Sequence, residues 1–590
     1  MSYDALTVKT KNDAVIADLE ITRSYREPTW REIDRHIVPG MSRFEMSDQD
    51  QGMYDTSHIL DSTADQAFLT AENGMIANVT NPAQRWINLK PGGDPDLAEY
   101  GPVSHWFDDT AKIMLDAIED SGTYETFQNL YGYGLKFSNG LLWMEEDYKR
   151  VLNTRVIPLG QWCIAKDAFG EVNVVWRKFR MTVGNLVPTF GRRTAKGSYD
   201  WSNFSIQVRD AWDRGRYQQS VDVGHLVTPN EDFNPRYASA KEKAFKSCYF
   251  ELGGTGGTSS GNLITSSMRD EGVYLREGGY DQIPAFVFQW HTTGDDVYGM
   301  RCPGLTALPD IREQQHWKLK KTSALDKMVD PPTYGPAWTK FLRIGHLPGQ
   351  HTATKDEDLQ RGGIRKLYDI DPRVLEVMDH MESMKNNIEK AFYVDVFRMM
   401  DSYGVGQRQM TATEVAARQE EKLVQLVGML NRLNRNVLNP FTDRLFNYLL
   451  KQGRLPRIPE ELEGQSIKVE YVSMMAQAMR AINMGSINRV LETCIQLAGA
   501  EGSAAKIWNK VDMYQAIDEV AKAAGAPARL IRGDEQVAQI EQAQAEARAM
   551  EAQAAQMQAM TKSVKELSQS PTDGKSALTD LVRGLGGQAA

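Results

Sequence analysis

The stretch from Asp371 to Gly453 constrains this chain most: a helix, a short glycine-containing loop and a second, very long helix. Val374, Val377, Met378, Met381, Ile388, Ala391 and Phe392 fall near the i, i+3, i+4 spacing that puts one apolar stripe on a helix from Arg373 to about Met400. The loop, Asp401 to Met410, carries Gly404 and Gly406, which are free to take positive φ, and no periodicity that would bury it. Thr411 followed by Glu414 is a capping box that opens the second helix. Gly453 and Pro456 close it, so it spans ~42 residues, about 60 Å. Leu423, Leu426, Leu430, Leu433, Val437, Phe441, Leu445 and Leu449 form its buried stripe, and Pro440 predicts a kink in its last quarter. Periodicity alone fits an ordinary long hairpin equally well, but a rod of this length rarely belongs to a compact monomer.

With 590 residues the chain needs several cores. A net charge of −10 argues against a large basic face that grips nucleic acid, so any contact with DNA is expected to be weakly adhesive. No window offers the ~18 uninterrupted apolar residues of a membrane span, and the polar N-terminus lacks a signal peptide's apolar core. Synthesis and retention in the cytosol, without a membrane partner, is the expectation. Cys163, Cys248, Cys302 and Cys494 are scattered without a C-x-x-C pair, and His346 and His351 are isolated. Neither a metal, a disulfide framework nor a cofactor is expected, and the cysteines read as small buried side chains.

In chain order, a helical segment runs to Pro39, broken by Pro28, and another from Ser62 to about Val79. Trp106 to Leu130 reads as one helix. Phe137–Glu146, Val151–Ile157, Glu171–Arg180, Ser205–Val208 and Ile283–His291 read as strands rich in β-branched and aromatic residues. The fold class is therefore α+β. The glycine-rich run 253–261 lacks the lysine of a phosphate-binding loop, and Lys196-Gly197-Ser198 only approximates one, so nucleotide binding is not expected. A helix opening at Ala307-Leu308-Pro309-Asp310 continues to about Val329. Its bases Lys318, Lys320, Lys321 and Lys327 would face phosphate if they formed a stripe, but Asp310, Glu313 and Asp326 interleave and favour a solvated face. Pro331 to Pro372, dense in proline, glycine and aromatics, reads as a small β-and-loop excursion between two helices. After Gly453 come a strand, Ile467–Val472, and four short helices. A helix follows with Ile540, Ala543, Ala547, Met550, Ala554 and Met557 at a/d spacing. Residues from about Ser563 are expected to be disordered.

Several motifs resemble one family. The run Met410-Thr411-Ala412-Thr413-Glu414-Val415, with Arg418, Glu421, Leu430, Asn431, Arg432, Leu433, Pro440, Arg444, Phe446, Gly453, Leu455 and Pro456, resembles the portal, or head-to-tail connector, family of short-tailed bacteriophages. Leu60 to Ala64, then Thr80, Asn81, Pro82, Trp86 and Leu89, and Asp167, Gly170, Arg177, Met181, Thr182, Phe190 and Gly191 match it as well. Pro527, Leu530, Ile531, Arg532 and Glu535 do so near the C-terminus. Two departures stand out: Val427-Gly428-Met429 replaces a frequent Leu-Gly-Pro, and Gln409 a frequent basic residue.

The resemblance implies a portal-type fold: wing 1–305, first stem helix 306–330, β clip 331–372, second stem helix 373–400, channel loop 401–410 and long wing helix 411–453. A helical crown 454–533, a barrel helix 534–562 and a disordered tail 563–590 complete it. It further implies a dodecameric ring at the head vertex through which double-stranded DNA is packaged and ejected, without sequence readout. Its implied partners are the terminase large subunit, tail adaptor and nozzle proteins, scaffold and major capsid protein, and internal core or ejection proteins. Tyr403, Gly404, Val405, Gly406, Gln407 and Arg408 are then the DNA-facing loop candidates, and Trp338, Lys340, Phe341, Arg343 and His346 the clip's docking candidates. Readings from other classes are a tail adaptor or scaffold, and a virion hydrolase using paired carboxylates such as those in Glu145-Glu146-Asp147. An adaptor is usually shorter, and a scaffold has no need of the strands.

Overall fold

The computed structural model describes residues 3–44, 56–92, 101–195, 197–234, 239, 242–252, 274–294, 296–329, 333–334, 365–366, 374–401, 426–462, 467–471, 515, 517 and 534–569. They fall into two units, one of residues 1–88, 111–455 and 471–482, the other of 89–110, 456–470 and 483–590.

The first unit is an α+β assembly around two antiparallel sheets. Its elements begin with α1 (Tyr3–Ser24), α2 (Glu27–His36) and α3 (Thr63–Val79). After β1 (Ile87–Pro91), the helices α4 (Gly101–Asp120) and α5 (Thr123–Phe137) replace the single helix expected from Trp106 to Leu130. The break is Gly122, whose φ of 71° is left-handed and cheap only for glycine. Strands β2 (Asn139–Asp147), β3 (Val151–Ile157), β4 (Trp162–Lys166) and β5 (Val172–Thr182) follow, then α6 (Val183–Phe190). Ser205 to Val208 is not a strand: Ser205 caps α7 (Ile206–Asp213), its Oγ accepting the Val208 N–H at 3.4 Å. Strands β6 (Ser220–Pro229), β7 (Phe245–Leu252), β8 (Arg276–Tyr280) and β9 (Ala285–Gln289) complete the sheets, ordered β3-β2-β9 and β4-β5-β6-β7-β8.

Alternation along β6 and β7 divides the five-stranded sheet's faces. Leu226, Phe250 and Leu252, with Cys163 of β4 and Trp176 of β5, meet Ile16 and Leu19 of α1. Val221, Val223 and Tyr249 meet Val183, Leu186 and Val187 of α6 and Val208 and Ala211 of α7. The smaller sheet packs against α5, and Gly134 permits it: a Cβ there would lie 2.0 Å from the Phe288 ring.

The helix α8 (Pro303–Val329) starts at Pro303, four residues earlier than expected, with Pro309 inside it. The two-residue strands β10 (Thr333–Tyr334) and β11 (Arg365–Lys366) pair antiparallel. The helix expected over 373–400 is two, α9 (Val374–Ala391) and α10 (Val394–Asp401), broken where Tyr393 takes a φ of 57°. The turn lets Phe392 and Val394, both fully buried, leave the helical stripe and enter the core.

Of the long helix 411–453, residues 411–425 lie outside the described residues. The rest is α11 (Val427–Leu433), a π-turn (Asn434–Leu438) and α12 (Asn439–Lys451). Pro440 brings a widened turn in front of it, with the Asn439 N–H reaching Asn434 O. Leu430, Leu433, Val437, Phe441, Leu445 and Leu449 are buried, as the stripe predicts. Gly453 has a φ of 65°, as a C-terminal cap requires.

In the second unit the Trp106 indole donates to Pro456 O at 3.2 Å. Its strands are β12 (Ile467–Tyr471) and the part of β1 from Leu89 on, which pair. The helix α13 runs from Asp534 to Gln569, past the expected onset of disorder at Ser563. Residues 539–562 are exposed all round in the single chain, Met550, Met557 and Met560 among them. The four short helices expected after β12 and residues 570–590 lie outside the described residues.

Candidate functional site

The loop candidates Tyr403, Gly404, Val405, Gly406, Gln407 and Arg408 and the candidates Trp338, Lys340, Phe341, Arg343 and His346 lie outside the described residues.

α8 and α9 pack side by side, and the backbone register Thr333↔Lys366, Tyr334↔Arg365 draws together the two ends of the intervening segment. The base of α8 is seated on α5. The Cys302 thiol donates to Lys136 O at 3.1 Å and accepts the Leu305 N–H at 3.3 Å, and a Cβ on Gly304 would stand 2.6 Å from Lys136 O. Cys163, Cys248 and Cys302 are indeed buried and free.

About three turns further on, Gln315 clasps the Leu60-Asp61 backbone. Its Oε1 accepts both N–H groups, at 2.6 and 2.8 Å, and its Nε2 donates to Asp61 O at 2.8 Å. Lys318 pairs with the Asp61 carboxylate at 3.6 Å. Against the upward push of burial, hydrogen bonds from Thr63 and the charge of Lys318 hold that carboxyl below its ordinary value. Lys318 is thus committed to the fold. Lys320 and Lys327 are exposed and Lys321 half-buried.

α10, which leads to the 402–410 segment, rests on α3. The Phe392 ring meets Phe68 edge-on at 6.3 Å, and Phe397 lies so close to Gly74 that a Cβ there would be 2.3 Å from its ring. Any side chain at Gly74 would displace α10.

Three buried ionisable groups brace this framework. Lys136, fully buried on α5, donates to Asp34 of α2 at 2.5 Å and to Val38 O at 2.8 Å. Burial, offset by Asp34, brings its pKa down to about 8. Arg177 of β5 donates to His225 Nδ1 at 2.8 Å and to the Tyr249 hydroxyl at 3.3 Å, with Trp143 4.1 Å beneath its guanidinium. Burial, then the charge of Arg177, holds His225 well below its ordinary value, so the imidazole is neutral and its Nε2 is left for Ser247 Oγ at 2.8 Å. Glu72 of α3 lies against Gly132 of α5, and burial alone pushes its pKa up to about 7.

Of the carboxylates considered for hydrolysis, Glu145 and Glu146 do not converge. Glu145 and Glu146 are consecutive on β2 and so point to opposite faces. Glu145 accepts from the Trp143 indole at 2.8 Å, while Glu146 accepts from Gln452 at 3.3 Å.

Residues 9–531 match the family described as bacteriophage head to tail connecting protein. The chain belongs to this family. Its place is the head-tail junction of the virion. It is 32% identical over 571 residues to the portal protein of Salmonella phage epsilon15, covering 97% of both chains. It is 31% identical over 558 residues to a probable portal protein of Bordetella phage BPP-1, covering 95% of both. Among solved structures, a chain from the neck of an empty gene transfer agent particle aligns at 13% identity and a TM-score of 0.32, over 77% of this chain and 90% of that one. No helix among the described residues is long and apolar enough to cross a membrane.

Gln315, Gly74 and the Lys136–Asp34 pair escaped the sequence reading. Gln315 and Asp61 are 254 residues apart, a separation at which no local spacing points from one to the other.

Proposed function

We propose that twelve copies of this connector form a ring through which double-stranded DNA enters and leaves the phage head. The packaging motor's large terminase subunit docks on it first, and the tail adaptor and nozzle proteins replace the motor afterwards. In this reading residues 1–305 form the wing, α8 and α9 the stem, 331–372 the clip, 401–410 the channel loop and α13 a barrel. Scaffold and major capsid protein contact the outside of the ring, and internal core or ejection proteins its head-facing end.

The observation that carries the reading is the α8–α9 pair, rooted in α5 and α3, with β10 and β11 paired between its two helices. A docking domain on a stalk can engage successive partners without disturbing the body. The acidic chain supports passage of DNA, because each neutralised phosphate adds salt-dependent affinity and would brake a moving duplex. Lys320, Lys321 and Lys327 remain as stem contacts, and Tyr403 and Arg408 as loop contacts hinged at Gly404 and Gly406.

Negative-stain images of the purified chain should contain rings with an axial hole. Replacing residues 335–364 by a short Gly-Ser linker should keep the rings and abolish DNA packaging. A monomer at all concentrations, or loss of rings on that replacement, defeats the assignment.

A further inference from the structure

The lobe built from α6, α7 and the turns beside them is basic and aromatic on a chain of net charge −10. Tyr217, Trp212, Tyr199 and Trp201 form a chain of rings with centroids 5.0, 5.5 and 6.3 Å from that of Trp212, and Arg193 lies over Tyr199 at 5.6 Å. Tyr217 is 48% exposed and Ile206 76% exposed. Arg209 and Arg214 pair with Asp213 and Asp210 on their own helix, whereas Arg192, Arg193 and Arg216 are exposed and form no ion pair among the described residues. Backbone hydrogen bonds tie the lobe's turns to its helices. Val183 N donates to Gln219 O at 2.8 Å, Gly184 N to Tyr217 O at 2.9 Å and Arg216 N to Ala211 O at 2.8 Å. Tryptophan, tyrosine and arginine on a preorganised surface are the residues that concentrate binding energy at protein interfaces.

The same unit carries a surface of opposite sign. Asp116, Glu119 and Asp120 on α4 and Glu125 on α5 are exposed, form no ion pair among the described residues, and have no lysine or arginine between Lys112 and Lys136. Glu119 and Asp120 end α4, whose last turn holds no basic residue. Acids at a helix C-terminus face the negative end of its dipole, an arrangement that disfavours the isolated helix until a cation is brought to it.

We propose that the α6–α7 lobe of one copy docks on the α4–α5 turn of the next, with Arg192, Arg193 and Arg216 set against Asp116, Glu119 and Asp120. The inference rests on the ring reading and names one of its contacts. Because the two surfaces differ, the contact is head-to-tail, the kind that repeats around a closed ring. DNA is the less fitting occupant of the lobe, since Asp200, Asp210 and Asp213 interleave with its arginines and would repel phosphate.

The test uses the full chain in three forms: Arg192→Glu with Arg193→Glu and Arg216→Glu; Asp116→Lys with Glu119→Lys and Asp120→Lys; and all six together. Sedimentation velocity at 150 mM salt should place the onset of ring formation at least tenfold higher in concentration for each triple variant. The sixfold variant should return to within about threefold of the wild type, as restored charge complementarity requires. Circular dichroism and melting of the dissociated chains check that every variant folds. Unchanged onset in either folded triple variant, or no recovery in the sixfold one, overturns the inference. A lobe variant that keeps its rings but binds a fluorescent DNA duplex more weakly also overturns it and gives the lobe to DNA. A wild type that never forms rings defeats the ring reading itself.

Discussion

Lys136 and Arg177 are both cations buried in the same unit, yet they are held by opposite means. Lys136 has a carboxylate at 2.5 Å and joins α2 to α5. Arg177 has a neutral imidazole, a phenol and the face of an indole. A lysine ammonium is a compact charge whose buried form calls for a counter-charge, whereas a guanidinium is broad, weakly hydrated and content on an aromatic face. The difference predicts which neighbour matters. For Lys136 it is the carboxylate it touches, Asp34, with Asp65 a weaker second; for Arg177 the contacts share the burden and no one of them is decisive.

Asp34→Ala should be the most damaging change, because it leaves a wholly buried ammonium without its contacting carboxylate and with only the weaker field of Asp65, at ~3–5 kcal/mol. Urea unfolding of the dissociated chain measures it, and Lys136→Met added to Asp34→Ala should recover most of the loss. Equal damage in the single and double variants would mean that Asp34 acts through Ser42, which donates to it at 2.6 Å, and not through Lys136.

Glu72 sharpens the comparison as a buried charge with no counter-ion behind its shift. Its folded pKa of about 7 lies above the ordinary 4.5, so the folded form binds the proton more tightly. The stability it contributes is full below pH 4.5 and is lost as pH rises through 7. Glu72→Gln should therefore stabilise the chain by roughly 2–3 kcal/mol at pH 8 and leave it unchanged at pH 4.5. A gain of the same size at both pH values would break the argument.

The smallest effect is expected at Arg177→Met. Removing the cation forfeits its hydrogen bonds and ring contacts but also the cost of burying charge, for a net loss of about 1–2 kcal/mol by thermal unfolding. A loss as large as that of Asp34→Ala would erase the distinction between the two cations.

Strands β2, β3, β5 and β9 were legible because β-branched and aromatic residues mark them. β4, β6 and β7 were not, since a sheet covered on both faces loses its polar alternation, and β8 was not because Arg276-Glu277-Gly278-Gly279-Tyr280 carries little strand signal. β6 is further disguised by Asp222, Gly224 and His225. Gly224 is there because the Trp176 ring lies over it, where a Cβ would be 2.4 Å away, a reason invisible without the neighbouring strand. The helices α8, α9 and α12 and the family motifs could be read from spacing. The Gln315 clasp and the seat of Phe397 on Gly74 could not, because tertiary approach creates them. The turn at Tyr393 was missed for a related reason, since the helical period carries through Ala391 and Phe392 and burial of Phe392 and Val394 decides the break.

The π-turn at Asn434–Leu438 has a consequence for insertions and deletions. Each residue of an α-helix turns about 100°, so deleting one elsewhere in 427–451 would rotate every side chain beyond it off the sheet. Within the π-turn the helix holds one residue more than its hydrogen-bond ladder needs. Loss of Arg435 or Asn436 would let the ladder close as ordinary α-helix, with Leu433 behind it and Phe441 ahead still facing the core. A one-residue deletion is therefore better tolerated at this point of the rod than in the middle of α11 or α12.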